Sequence, residues 1–143
     1  MSRAYDAGLI NLAGKIALEE RIPLKKGVLV CLPGPNLETG AEYRFLRSTG
    51  ADMVCMSTVP EVIAAVHLGL RVFGISVITD MGLPDALVPV TLEEIIAIAN
   101  SAEPKLTKLI ERIIILINDK EKNDRKEKDG KEDGEENGEE NVC

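Results

Sequence analysis

The chain has 143 residues and a formal net charge of −7, and 45% of its residues are hydrophobic, as in a single globular domain. Residues 119–143 contain 11 acidic and 6 basic residues, which leaves a net charge of only −2 on residues 1–118. A nucleic-acid partner is not expected, because no basic face is clustered. A membrane span is not expected either, because no apolar run approaches ~18 residues.

The cysteine content indicates a reducing compartment. The three cysteines, Cys31, Cys55 and Cys143, have neither a disulfide-like nor a metal-like spacing. Reduced thiols are typical of cytosolic proteins. We therefore predict a cytoplasmic protein with no metal site and no bound cofactor.

The first third of the chain predicts a helix, a strand and a second helix. Apolar residues recur at helical spacing in residues 4–20. Residues 28–32 form a short, continuous apolar run between Gly and Pro, which favours a buried strand. Residues 39–42 (Thr-Gly-Ala-Glu) fit a capping box that opens a helix ending near Gly50.

The middle of the chain repeats this alternation. Residues 52–56 predict a second strand, and residues 58–61 (Thr-Val-Pro-Glu) predict a capping box for a helix to about Leu68. Residues 71–78, which are rich in Val and Ile, predict a third strand.

The C-terminal part predicts helix followed by a disordered tail. Residues 91–94 form a third capping box, and the helix after it is expected to break near Pro104 and to resume to about Ile117. Residues 119–143 lack apolar residues for a core and are predicted to be a disordered, acidic tail.

Strands that alternate with helices at this spacing predict an α/β fold with a partial parallel or mixed sheet flanked by helices. We assign residues 1–118 to this fold. Three strands make a small sheet with unprotected edges, which is unfavourable for an isolated domain. We therefore expect the fold to be completed by strands that this chain does not contain.

Polar residues and one thioether follow each predicted strand. Glu38 follows the first strand, Met56 and Ser57 the second, and Thr79 and Asp80 the third. The carboxyl ends of parallel strands meet at one edge of a sheet and bind ligands there. These residues would suit a small polar ligand with an apolar body. The alternatives are that Ser57 caps a helix, Asp80 supports a turn and Met56 belongs to the core.

Three segments resemble the trimeric purine nucleoside phosphorylases of the inosine and guanosine type. They are residues 34–42 (Gly-Pro-x-x-Glu-Thr-x-Ala-Glu), residues 56–61 (Met-Ser-Thr-Val-Pro-Glu) and residues 67–79. The resemblance implies a phosphorylase/hydrolase-like fold, of which this chain would be the C-terminal half. It implies a pentosyltransferase of purine salvage that forms homotrimers. Such an enzyme converts purine ribonucleosides and inorganic phosphate into the free base and ribose 1-phosphate.

The resemblance also implies roles for the five residues. Glu38 would accept hydrogen bonds from the Watson–Crick edge of the purine, Met56 would pack under the ribose, and Ser57 would contact phosphate. Thr79 and Asp80 would lie along the imidazole edge near N7, with Asp80 as the catalytic residue. A donor at N7 would stabilise the negative charge that develops on the departing base.

Two departures from the family pattern bear on these roles. Asp80 stands where the family commonly has Asn, so it is either protonated or accepts a hydrogen bond from a 6-amino group. The Gly-rich phosphate loop and the basic phosphate ligands of the family have no counterpart in this sequence. The alternative functions are therefore a non-catalytic purine-binding module and an inert fragment.

Overall fold

The computed structural model describes the backbone of residues 3–135 and the side chains of residues 3–123 and 125. Helices and short strands alternate along the chain, as the sequence predicts. Their bounds are α1 Ala7–Glu19, β1 Leu29–Cys31, α2 Gly40–Ser48, β2 Met53–Cys55, α3 Val59–His67 and α4 Leu92–Glu135.

The sheet of the described residues consists of β1 and β2, which are parallel. Residues 29–31 pair in order with residues 53–55, and the Leu32 amide continues the ladder by donating to the Cys55 carbonyl at 2.8 Å. The prediction of a third strand at residues 71–78 is wrong for this chain, since that segment is not a strand. A strand requires a neighbour for its backbone groups, and the sequence pattern cannot show whether one is present.

The hydrophobic core lies between α1 and α4. Ala13, Ile16 and Ala17 of α1 are buried against Leu109 and Ile113 of α4. Two side chains of the segment predicted as a third strand, Phe73 and Ile75, are partly buried against this cluster. The segment therefore contributes to the core without pairing in the sheet.

Two of the three predicted capping boxes are confirmed. The Thr39 amide donates to Glu42 Oε2 at 2.7 Å, and the Glu42 amide donates back to Thr39 Oγ1. Thr91 and Glu94 form the same reciprocal pair before α4. The box predicted at Thr58 is wrong, because Thr58 makes no side-chain capping bond.

Helix α4 differs from the prediction in two respects. It passes through Pro104 without a break, because residues after the proline pack on α1 and hold the helix there. It also continues to Glu135, into the segment predicted to be disordered. Lys and Glu have high intrinsic helix propensity, so a sequence that builds no core can still be helical. Residues 136–143 of that segment lie outside the described residues.

No helix within residues 3–135 combines the length and the apolar character needed to cross a membrane.

Candidate functional site

The loop between β1 and α2 places a carboxylate in a protected position. Glu38 directly precedes the N-cap residue Thr39 and retains only 9% of its accessible surface. Its neighbour Leu37 is 51% exposed. Burying a carboxylate costs free energy unless other groups hydrogen-bond to it. The groups around Glu38 therefore indicate what this carboxylate does.

The phenol of Tyr43 is the group beside that carboxylate. Tyr43 lies in the first turn of α2, four residues after Thr39. Burial, then the charge of Glu38 and a hydrogen bond to it, and finally the charge of Asp80, raise the pKa of Tyr43 to about 12. The phenol is therefore protonated at neutral pH and can donate to Glu38.

The ring of Tyr43 also covers Gly82. A Cβ atom added to Gly82 would overlap the Tyr43 ring. The first turn of α2 lies against the same segment, because a Cβ on Gly40 would be 2.7 Å from the Pro84 carbonyl oxygen. Residues 80–84 are therefore held against α2, which brings Glu38 and Asp80 near the same tyrosine.

Thr79 and Asp80 interact directly. The Thr79 hydroxyl donates to Asp80 Oδ1 at 2.9 Å, and both side chains are partly buried. They line an open groove of about 760 Å³ between α2, the sheet and residues 77–84. Glu38, Met56 and Ser57 do not line this groove, so it is not by itself the predicted purine pocket.

Met56 connects the loop after β2 to the loop after β1. A Cβ on Gly34 would be only 2.5 Å from Met56 Sδ, and Gly34 has a φ of +65° that L side chains rarely adopt. The Met56 side chain is 42% exposed. Glycine at position 34 therefore allows the thioether to lie across the loop that carries Glu38.

Ser57 begins a tight turn into α3. The Val59 amide donates to the Ser57 carbonyl at 2.8 Å, and Thr58 between them has φ 74° and ψ −53°, the conformation of a strained γ-turn. In this backbone conformation the Thr58 side chain makes no capping hydrogen bond. A β-branched residue at positive φ is uncommon and is found mostly at functional or strained sites.

The structure thus brings the predicted residues into two groups. Glu38, Thr79 and Asp80 gather around Tyr43, while Met56 and Ser57 lie on the neighbouring loop, where Met56 contacts Gly34. Their roles toward a ligand stay predictions. Tyr43 is the residue that sequence reasoning missed. Its position one helical turn after the capping threonine was the available signal, because that spacing directs it toward the loop.

Across residues 3–135, no group of three or more His, Cys, Asp or Glu side chains is arranged to hold a metal ion.

Comparison with known proteins gives consistent similarities. Residues 1–115 match the sequence model of the family described as the phosphorylase superfamily. The chain is 45% identical over 114 residues to purine nucleoside phosphorylase 1 of Bacillus subtilis, and 42% identical over 121 residues to purine nucleoside phosphorylase of Bos taurus. These alignments cover 80% and 82% of the chain and 42% of each relative.

A solved structure shares the fold. Schistosoma purine nucleoside phosphorylase in complex with guanosine superposes with a TM-score of 0.75 at 36% sequence identity. The superposition covers 79% of this chain and 42% of that chain. The chain therefore spans about two fifths of the length of the relatives it matches.

Proposed function

The chain belongs to the phosphorylase superfamily, and from this membership we propose that it is part of a purine nucleoside phosphorylase. The reaction would be the cleavage of purine ribonucleosides by inorganic phosphate to give the free base and ribose 1-phosphate. The observation that carries the proposal is the buried carboxylate of Glu38, grouped with Tyr43 and Asp80 at the end of β1. A solved relative with this fold has guanosine bound.

Glu38 is proposed to bind the base. A guanine or hypoxanthine ring presents an N1–H donor, and an ionised carboxylate is an acceptor with two oxygens for it. Removing the acceptor of a buried hydrogen bond lowers the binding free energy more than removing the acceptor of an exposed one, because the buried donor is left unpaired. Glu38 would therefore contribute to both the affinity and the choice of base.

Asp80 and Thr79 are proposed to lie along the imidazole edge of the base. As the glycosidic bond breaks, negative charge develops on the purine and positive charge on the ribose. A donor near N7 that strengthens as the charge develops stabilises the transition state more than the ground state. Only a protonated Asp80 could be that donor, whereas an ionised Asp80 would accept from a 6-amino group instead. In either state the Thr79 hydroxyl, which donates to Asp80 Oδ1, would orient the side chain.

Met56 and Ser57 are proposed to contact the ribose and the phosphate, respectively. Met56 is partly exposed above the loop of Glu38 and offers an apolar surface for a sugar face. Ser57 is exposed at the turn before α3, where its hydroxyl is free to approach an anion. One hydroxyl does not orient phosphate for attack, and orientation provides much of the rate of such a reaction.

We propose that the remaining phosphate ligands come from the part of the fold that this chain does not span. A homotrimer and a cytoplasmic location belong to the same proposal. Exposed apolar side chains, among them Phe45 (66%) and Leu68 (72%), are consistent with further protein covering parts of this chain. Cys31 and Cys55 are free thiols, as expected in the cytoplasm.

Binding and turnover by the purified chain test the proposal. Calorimetric titration with hypoxanthine should show weak binding that is lost in Glu38→Gln and kept in Glu93→Gln, an exposed carboxylate at the start of α4. Inosine turnover by the chain alone should be negligible and should appear when the rest of the fold is supplied. Equal hypoxanthine binding by the two variants would contradict the role of Glu38.

A non-catalytic purine-binding module is the second candidate. The observation that favours it is the uneven inventory of the site, which has carboxylates for a base but a single serine for phosphate. If hypoxanthine binds but inosine is not cleaved even with the rest of the fold supplied, the module is the better description.

A further inference from the structure

Cys31 and Cys55 lie side by side in the sheet. Each is the last residue of its strand, and the two are direct partners in the parallel register. Both side chains are half-buried and belong to no disulfide. Neighbouring strands lie about 4.8 Å apart, within the Cα separation of about 4.4–6.8 Å that a disulfide spans.

Hydrogen bonds connect the two thiols to the turn before α3. Cys55 Sγ donates to the Ser57 carbonyl oxygen at 2.8 Å, and this oxygen also accepts the Val59 amide. Burial, followed by the adjacent Cys55, raises the pKa of the Cys31 thiol, although the Val59 amide opposes this effect. The Cys31 thiol is therefore protonated at neutral pH, while the Cys55 thiol donates its hydrogen bond to the backbone of Ser57.

We propose that Cys31 and Cys55 form a reversible disulfide when the chain meets a low-molecular-weight disulfide such as oxidised glutathione. The thiolate of one cysteine attacks a glutathione sulfur, which forms a mixed disulfide and releases the first glutathione thiolate. The second cysteine then attacks the mixed disulfide at the protein sulfur and releases the second. Two electrons pass to the glutathione, and the two thiol protons end on its sulfurs.

The geometry predicts that this disulfide is easily reduced. Its two Cβ atoms must approach to about 3.5–4.5 Å, which is closer than the spacing of adjacent strands. The ends of β1 and β2 must therefore move together for the bond to form, and a disulfide that strains its strands has the more oxidising potential typical of reversible, regulatory bonds.

The disulfide also changes the turn that carries Ser57. Oxidation removes the thiol proton that Cys55 donates to the Ser57 carbonyl and draws Cys55 toward Cys31. Met56 and Ser57 follow directly in the chain, so their positions change with it. Oxidation thereby alters the segment for which sugar and phosphate contacts are proposed, although formation of the bond does not depend on that function.

Peptide mapping of the full chain after treatment with oxidised glutathione tests the proposal. Tryptic cleavage at Lys26, Arg44, Arg47 and Arg71 places Cys31 in residues 27–44 and Cys55 in residues 48–71. The expected result is one species in which these peptides are joined, which dithiothreitol separates and which forms faster at pH 9 than at pH 7. Glutathione attached stably to single cysteines, or peptides that stay unlinked, would overturn the proposal.

Two variants complete the test. Cys143→Ser removes the third thiol and should keep the linked peptides, whereas Cys55→Ser should not give them. If the linked peptides disappear in Cys143→Ser, the bond forms only by exchange through Cys143, and the proposed direct reaction of Cys31 with Cys55 is wrong. The Cys143→Ser result is decisive even if Cys55→Ser fails to fold, because it leaves both members of the pair in place. An unchanged affinity for inosine, which carries the ribose that Met56 is proposed to contact, would contradict only the proposed effect of oxidation on the site.

Discussion

The phenol of Tyr43 lies beside the carboxylate of Glu38, although the two residues belong to different elements, a helix and the loop before it. The Tyr43 ring also packs over Gly82. This contact joins the loop after β1 to the segment that carries Asp80. It orients Glu38 and connects the two carboxylates of the candidate site.

Tyr43→Phe should weaken hypoxanthine binding about tenfold. The variant keeps the ring over Gly82 but removes the donor to Glu38, and a hydrogen bond to a charged group contributes about 1.5–3 kcal/mol. Calorimetric titration of the full chain would measure the change. Tyr5→Phe is the control, because Tyr5 lies beside Gly74 and is not among the residues of the candidate site. Equal losses in the two variants would indicate a general effect on folding and contradict the specific role of Tyr43.

The same tyrosine should make stability depend on pH in the alkaline range. Its pKa is about 12 in the folded chain and about 10 when exposed, so the folded state binds the proton more tightly. The stabilisation is complete below pH 10 and is lost as the pH rises toward 12. Urea denaturation at pH 9 and pH 11 would show a decrease in stability that is smaller in Tyr43→Phe. A decrease of the same size in both proteins would contradict this origin.

An acid-range prediction concerns the start of α1. Asp6 caps the helix by accepting from the Leu9 amide at 2.9 Å and pairs with Arg71 at 2.7 Å. The hydrogen bond from Arg71, and next that from Leu9, lower the pKa of Asp6 to about 2. A lowered folded-state pKa gives stability that is present above pH 4 and is lost as the pH falls toward 2.

Thermal melts of Asp6→Asn test this at pH 7 and pH 3. The melting temperature should fall at pH 7, while the difference from the unchanged chain should narrow at pH 3. Asp85→Asn is a suitable control, because Asp85 pairs with Arg44 at 2.9 Å while its side chain is 90% exposed. Exposed pairs contribute little. A larger effect at position 85 than at position 6 would refute the assignment.

Local signals in the sequence predicted most helices and the two strands. The Thr39 and Thr91 boxes form because each threonine lies three residues before its glutamate, an arrangement that needs no distant contact. The third strand could not be predicted reliably, because pairing depends on a neighbour elsewhere in the fold. The break at Pro104 was wrong for a similar reason, since packing on α1 outweighs the local cost of proline.

The candidate site shows the same division. Each predicted residue follows a β-strand or a segment predicted as one, and this placement is visible in the sequence. The contact of Tyr43 with Glu38 and Gly82 depends on how residues 80–84 lie against α2, a tertiary feature that no local pattern encodes. The positive φ of Thr58 could not be predicted from the sequence either, because threonine rarely adopts positive φ values.

Leu109→Ala should destabilise the fold strongly. Leu109 is only 1% exposed and fills the centre of the contact between α1 and α4. Leucine-to-alanine changes in such positions cost about 2–5 kcal/mol, because a cavity remains. Chemical denaturation would measure the loss. Leu116→Ala, at a position on the same helix that is 38% exposed, should cost less than about 1 kcal/mol. A similar loss of unfolding free energy in the two variants would contradict the placement of the core between α1 and α4 around Leu109.

Asp80→Asn should shift the preference of the site toward 6-oxopurines. A carboxylate at position 80 can accept from a 6-amino group but cannot donate to N7, whereas an asparagine amide can donate there. The Thr79 hydroxyl, which donates to Asp80 Oδ1 at 2.9 Å, can donate equally well to the amide oxygen of asparagine. That contact leaves the amide NH₂ directed toward the base.

Hypoxanthine affinity should therefore rise relative to adenine affinity by about tenfold in the variant, the size expected for one hydrogen bond at a charged group. Competitive titration of the two bases would measure this ratio, with Asp85→Asn as the matched control. An unchanged ratio would mean that Asp80 is protonated and already donates, or that the base lies away from it, and either result would contradict an ionised Asp80 as the residue that selects the base.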